Sequence, residues 1–434
     1  MNQPLESTSS ADDRVRDQHG RVLVVTSSFP RWVGDASGSF VLNLAQDLLA
    51  CGWRVDVLAP HAPGTKVRED MDGVRVERFR YLWPARLETL CYGGGILGNL
   101  RHDRLNILKV PPLVLGEGGA LLRRLVRRRY DVVNSHWLVP QGLLAALTTR
   151  LCGVRHVSTV HGSDVLALTG RTVSALNRFT LRQADAVTVN SAATRAAVDA
   201  IAPGLHRLRT IPMGIAIDAA PDADAVARIR ARHRRGAGPL LVFVGRLVRE
   251  KGVGDLIDAL ARLVPTNPDI AAIVVGEGPD RAEFRQRAAQ AGVADRIAFI
   301  GQVPPDQALQ YMAAGDIFVG PSWIEAFGLV FAEALSVGTP VIGTAIGGIA
   351  ECVIHEKSGL LVAPRAPEAL AAAVERFVAD PEFASRTVQA GRAMVQGKLS
   401  RKATARAFSD LFGSVLNTRP DRAPRSLNAA PPQR

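Results

Sequence analysis

Several kinds of feature are scarce in this chain, and each scarcity excludes something. Cysteine occurs four times in 434 residues, at positions 51, 91, 152 and 352. That is too few for a disulfide framework, and no spacing suits a metal. The four read as small buried hydrophobes of a reducing compartment. No apolar run approaches the roughly 18 residues of a spanning helix. The N-terminal stretch MNQPLESTSSADDRVRDQHG is polar and has no apolar h-region, so no signal peptide is expected. A cytoplasmic protein is the expectation. Aromatics make up 5% of the chain. They do not interleave with basic residues, which argues against a nucleic-acid partner. Lysine is scarce, so the +12 net charge comes almost entirely from arginine. Such an excess suits nucleic acid, anionic lipid or phosphorylated small molecules, unless it only reflects a proteome-wide leaning to arginine.

What is present points to two domains. A chain of 434 residues exceeds one ordinary core. The 47% hydrophobic and 22% charged fractions are those of a globular protein. RVLVVT (21–26) predicts a strand. SFVLNLAQDLLA (39–50) carries apolar residues on one helical face, and WRVDVLAP (53–60) is the next strand. DVVNSH (131–136), HVSTVH (156–161) and AVTVN (186–190) follow. After a pause the rhythm restarts with PLLVFVG (239–245), AAIVVG (271–276), IAFIG (297–301), DIFVGPS (316–322) and PVIGT (340–344). Strands alternating with helices mean crossover units and parallel sheets. The expected organisation is a first domain over 21–215, a second over 216–395, and a helix over 396–418 placed to return to the first. Residues 1–20 and the Pro- and Arg-rich 419–434 are expected to be disordered. Two such halves would face each other across a cleft, with ligands beyond the C-terminal strand ends.

The loops there carry the chemistry. RLVREKG follows PLLVFVG and sets Arg246 and Lys251 before a helix, which makes an anion site. A solvated charged loop explains the same residues. GEGPDR (276–281) begins like a dinucleotide fingerprint but lacks its third glycine, and no acid ends the next strand. No P-loop pattern exists. His136 and His161 each close a strand and should face the cleft, whereas His156 reads as structural. SSFPRWVGDASGS (27–39) offers Gly34 and Gly38 where a backbone can approach a ligand. EAFGLVFAE (325–333) brackets apolar residues with two carboxylates. With Glu325 in the loop and Glu333 about two turns into a helix, they would stand on the order of 10 Å apart. That suits a hexose and a ribose joined by a diphosphate, since carboxylates accept from paired hydroxyls. An ordinary helix start explains the pair as well. Asp222 and Asp224 form an Asp-x-Asp in the linker, so they read as a solvated turn.

Taken together, the Glu325-x7-Glu333 pair with FGL after Glu325, the GR…KG pair Arg246 and Lys251, HGSD (161–164) and GGIAE (347–351) resemble a known family. The chain resembles the retaining glycosyltransferases of the GT-B fold, family 4, over roughly 21–415. The resemblance implies an α/β architecture of two Rossmann-like parallel-sheet domains facing across a cleft. It implies a nucleoside-diphosphate sugar donor, UDP-sugar favoured and GDP-mannose as the alternative. Glu325 would meet the hexose, Glu333 the ribose, and Arg246 and Lys251 the diphosphate, in place of a metal. His161 would lie near the transferred sugar. Phe327, Gly328 and Leu329 would form a helix start facing the donor, and the loop GQVPP with Val303 would touch the base. Gly34, Gly38 and His136 would border the phosphate or the acceptor, although GDASG departs from the family's Gly-Gly pair at Asp35 and Ala36. No cofactor and no metal are implied. The acceptor is a glycan, a lipid-linked sugar or a small molecule. A nucleotide-sugar epimerase and a catalytically silent glycosyltransferase-like partner subunit are the alternatives. A phosphorylase would need a pyridoxal lysine.

PPLVLGEGGALLRRLVRRRY (111–130) combines apolar residues with five arginines. The expectation is a helix with leucines on the sheet and arginines turned out to an anionic membrane. Localisation would then be peripheral, at the inner membrane face.

Overall fold

The computed structural model describes residues 19–93, 95–166, 170–216 and 220–418. The expected disorder of 1–18 and 419–434 lies outside the described residues. Gly20, placed in the N-terminal tail by sequence, instead opens the first strand.

The first domain holds an eight-stranded sheet: β1 (Gly20–Val25), β2 (Trp53–Pro60), β3 (Arg68–Met71), β4 (Val74–Phe79), β5 (Val132–His136), β6 (Arg155–Val160), β7 (Ala186–Val189) and β8 (Leu208–Thr210). Its order is β3-β4-β2-β1-β5-β6-β7-β8, and only β3 is antiparallel. The second domain holds β9 (Leu240–Val244), β10 (Ala271–Val275), β11 (Ile297–Gly301), β12 (Ile317–Gly320), β13 (Val341–Thr344) and β14 (Leu360–Val362). These pair in parallel in the order β11-β10-β9-β12-β13-β14. β5 and β10 are buried at every residue, as crossover helices on both faces require. The two sheets reverse strand order beside β1 and beside β9. Ligands of such sheets bind at that reversal. The loops after β1 and β5 meet there in one domain, and those after β9 and β12 in the other.

Six helices matter here: α1 (Ser39–Ala50), α2 (Val110–Arg127), α3 (Val253–Leu263), α4 (Leu329–Ser336), α5 (Pro381–Lys398) and α6 (Arg401–Asn417). α3 buries Val253, Leu256, Ile257, Leu260 and Leu263 on one face, each worth roughly 1.5–3 kcal/mol. The expected helix over 396–418 is two helices. Ser400 breaks it, because its hydroxyl caps Ala403 N–H and starts α6. α6 lies on the first domain, with Phe408 and Phe412 fully buried in the core beneath β1 and β2. The chain thus crosses between domains twice, and the crossings are tied together. Ile215 N–H donates to Leu399 O at 2.8 Å, and Arg401 N–H to Ile215 O at 3.2 Å. A Cβ on Gly214 would meet Arg401 at 2.6 Å, so only glycine fits between them.

The expectation for α2 is overturned in part. Leu113, Leu121 and Leu125 pack inward, but Arg124 is buried with them. Its guanidinium donates to Glu77 at 2.7 Å and Asp56 at 3.3 Å. Arg123 reaches Glu77, and Arg128 reaches Asp56. The strand carboxylates on β2 and β4 draw three of the five arginines onto the domain. Leu122 and Val126 are exposed instead.

Candidate active site

The cleft is built from the four loops at the strand-order reversals and from the loop after β6. In the second domain, the turn after β9 ends at Lys251 and Gly252. Gly252 has φ 70°, and a Cβ there would meet Pro321 O at 1.9 Å. That contact welds the turn to the loop after β12. Trp323 N–H donates to Glu250 O at 2.7 Å, and Trp323 Nε1 to Asp255 at 2.7 Å. The weld puts Lys251 Nζ 2.5 Å from Glu325 Oε2. Arg246, exposed, lies opposite the first domain, where a Cβ on Gly95 would stand 3.9 Å from its Nη1.

Glu325 precedes α4. Gly347 of GGIAE packs on it so closely that a Cβ would lie 1.9 Å from Glu325 O. Gly328 caps α4 in the left-handed region (φ 85°), where L side chains are disfavoured. The N–H groups of Leu329 and Val330 at the helix start have no intrahelical partner. Glu333 is the fifth residue of α4, so it stands just over one turn in, not two. Its carboxylate accepts no hydrogen bond among the described residues, and burial pushes it up to about 7. Phe327 is a core side chain, 4% exposed, so only its backbone borders the cleft. Leu329 packs against both domain cores. Val303 packs against the second core beside Pro304, which Gly34 of the first domain approaches.

In the first domain, Gly38 (φ 63°) starts α1, and a Cβ there would meet Ser28 O at 2.2 Å. Asp35 is buried and bonds Arg31, Ser37 and, across the cleft, Gln302. Burial raises its carboxyl, but the Arg31 and Ser37 bonds outweigh that and hold it low. So GDASG braces the loop with Asp35 and leaves the tight turn to Gly38.

Phe40 of α1 packs on His161, with ring centroids 5.0 Å apart, and Trp137 packs on it at 4.7 Å. The turn directly after His161 meets the second domain: a Cβ on Gly162 would lie 2.3 Å from Ala326 Cβ. His136 is fully buried behind it, its Nδ1 2.8 Å from His161 Nε2. Burial, with His161 alongside, holds His136 well below its ordinary value, and burial lowers His161 to about 3. Both rings are therefore neutral near pH 7, and their tautomers follow from Asn134. The Asn134 amide nitrogen donates to Val157 O at 3.1 Å and to Thr159 at 2.8 Å. Its oxygen thus faces His136 Nε2 at 3.1 Å, which must carry the proton. His136 Nδ1 is then an acceptor, and His161 Nε2 donates to it. His161 is left with Nδ1 as an acceptor that has no partner among the described residues.

Sequence reasoning missed Asn134, Trp137 and Phe40. Asn134 was visible as an amide inside an apolar strand. It also passed over Asp164 of HGSD, whose buried carboxylate accepts Leu138 N–H at 3.1 Å and is pushed up to about 7 by burial. That bond shapes the turn holding Trp137 at φ 71°. His156 is buried and paired with Ser135, away from this cluster. Asp222 caps the helix Ala223–His233, and no group of three or more potential metal ligands occurs among the described residues.

The chain is similar to known proteins over most of its length. Residues 36–214 match the model of a glycosyl transferase 4-like domain, and 227–394 that of glycosyl transferases group 1. The chain is 30% identical over 416 residues to a glycogen synthase of Mycobacterium tuberculosis, covering 90% of this chain and 94% of the relative. It is 30% identical over 411 residues to a GDP-mannose-dependent alpha-(1-6)-phosphatidylinositol monomannoside mannosyltransferase of the same organism, covering 90% and 98%. In fold it is similar to HepE of Anabaena in complex with UDP-glucose, with TM-score 0.72, 19% identity, and coverage of 91% and 100%.

Proposed function

We propose, because this chain belongs to the glycosyl transferases group 1 family, that it moves a hexose from a nucleoside-diphosphate sugar to an acceptor hydroxyl with retention at the anomeric carbon. Its fold is GT-B, two parallel-sheet domains across a cleft. The observation that carries the reading is the Lys251–Glu325 contact at the β9/β12 reversal, set opposite His161. It puts a cation for phosphate and a carboxylate for sugar within one ligand's length. The bond from the anomeric carbon to the diphosphate breaks, one to the acceptor oxygen forms, and the acceptor's hydroxyl proton passes to the departing diphosphate oxygen. Negative charge grows on the leaving diphosphate, where Arg246, Lys251 and the α4 N–H groups stabilise it. Glu325 accepts from hexose hydroxyls once Lys251 turns to phosphate, and Glu333 accepts from the ribose. His161 Nδ1 accepts from a further sugar hydroxyl. The backbone near Val303 borders the base.

UDP-sugar is the favoured donor, since HepE was solved with UDP-glucose; the GDP-mannose-dependent relative keeps GDP-mannose as the alternative. A donor screen tests the reading, with nucleoside-diphosphate release measured with and without sugar and lipid-linked acceptors. The expected result is acceptor-stimulated release that Glu325→Ala abolishes and Glu333→Ala weakens through donor KM. Near-normal turnover in Glu325→Ala overturns the assignment.

A further inference from the structure

α2 is apolar on both sides. Its inner face is core, as described above. Its outer face carries Leu115 and Val126, 75% and 73% exposed, with Leu122 at 40% between them. Leu108, in the short helix leading into α2, extends the line and is 71% exposed. Pro111 and Gly119 complete it. The positions 108, 111, 115, 119, 122 and 126 are three or four apart, the spacing of one helical stripe. An outward helix face on a globular domain is normally polar, and among the described residues nothing covers this stripe. The sequence suggests no apolar run near the length of a spanning helix, but by length and composition Arg104–Arg127 is long and apolar enough to cross a membrane, with mean hydropathy 1.2. The inner face belongs to the domain core, so the run is a surface element.

Charge says what covers it. Between 104 and 129 the one carboxylate is Glu117, and it is buried. Arg104 stands exposed before the stripe, and Arg127 and Arg129 stand exposed after it. A second copy packed antiparallel on the stripe would set these cations against each other. An anionic bilayer meets both features, since apolar side chains enter the acyl boundary while arginines meet phosphate. The stripe is about 27 Å long, at 1.5 Å per residue.

We infer that this face of α2, with the segment leading into it, docks the protein on an anionic phospholipid surface. The helix before this segment reaches the second domain. Arg101, just before the segment, donates to Glu250 of the second domain at 2.7 Å, one residue from Lys251. The inference does not depend on which sugar moves.

The test is co-sedimentation of the full chain with vesicles of phosphatidylcholine alone and of phosphatidylcholine with about one third phosphatidylglycerol. The parent should bind the anionic vesicles and lose binding as salt rises. Leu115→Ser/Leu122→Ser/Val126→Ser should weaken binding at least about tenfold. Arg127→Gln/Arg129→Gln should weaken it as well. Both variants alter exposed positions, and unchanged thermal midpoints would show that they fold. A parent that stays in the supernatant at low salt overturns the inference. So does an apolar variant that binds like the parent. A parent dimer in sedimentation equilibrium that the apolar variant breaks would show that a second copy covers the stripe, and would also overturn it.

Discussion

His136 Nδ1 lies 2.8 Å from His161 Nε2, and the direction of that bond is set by Asn134 two residues before His136. The outcome is a neutral His161 that offers the cleft an acceptor. Asn134→Leu removes the anchor, so His136 can present either tautomer and His161 loses its fixed one. The expected result is a fall in kcat of roughly tenfold or more, the worth of one misplaced buried hydrogen bond. Nitrogen chemical shifts of labelled histidine report the tautomers directly. His161 should show a protonated Nε2 in the parent and a mixture in the variant. A protonated Nδ1 in the parent rejects the relay, whatever the activity does.

The cations of the cleft bear on what a chelator does. If Arg246, Lys251 and the α4 N–H groups stabilise the departing diphosphate, excess EDTA should leave the rate unchanged. Lys251→Ala should lower kcat by on the order of 10²–10³, the cost of removing one preorganised charge donor. Loss of activity in EDTA, restored by manganese, would show that a cation does this work instead.

Much of this site was legible because its residues sit beside glycine-marked turns at strand ends. Lys251, Glu325 and His161 are each within three residues of a glycine that the structure shows to be sterically required: Gly252, Gly328 and Gly162. The strands of both sheets were legible where apolar runs reach five residues or so. β8 and β14 are three residues long and too short for a period. The β3–β4 hairpin was missed although its Asp72-Gly73 turn, both at positive φ, is a recognisable signal. Asn134 and Arg124 were not legible as placed. Their roles depend on partners 23 and 47 residues away in sequence. Burial of an arginine is decided by strand carboxylates that no local pattern reveals.

Glu117 gives a pH-dependent prediction away from the cleft. Burial, opposed by a bond from Gln141, raises its carboxyl from 4.5 to about 8. The folded protein therefore keeps a proton that the unfolded chain releases between these values. Stability falls as pH rises through that window, by about 1.4 kcal/mol per unit for one proton. Glu117→Gln has no proton to lose and keeps an acceptor for Gln141. It should match the parent near pH 4.5 and exceed it by on the order of 4 kcal/mol at pH 8. Asp164 and Glu333 titrate in both proteins and cancel in the difference. Thermal midpoints measured across pH check this, and a constant difference at all pH values would reject it.

The returning helix α6 joins the domains by packing, and its removal should be costly. Phe408 and Phe412 are fully buried, and Trp53 meets Phe412 edge-on at 5.5 Å. Trp53 Nε1 also donates to Ser409 at 2.9 Å, so the indole's polar edge is satisfied only while α6 is seated. Phe408→Ala removes a large buried side chain where the neighbouring strands cannot collapse, which costs roughly 3–5 kcal/mol. The Arg401–Asp47 pair at 2.8 Å is part-exposed on both sides, and Arg401→Ala should cost only about 0.2–1 kcal/mol. Denaturant unfolding of both variants separates packing from surface charge. Limited proteolysis adds a local readout, because an unseated α6 exposes the crossing at Leu399–Arg401 to cleavage. A Phe408→Ala protein within about 1 kcal/mol of the parent, and equally resistant to protease, would show that α6 rests on the first domain without belonging to its core.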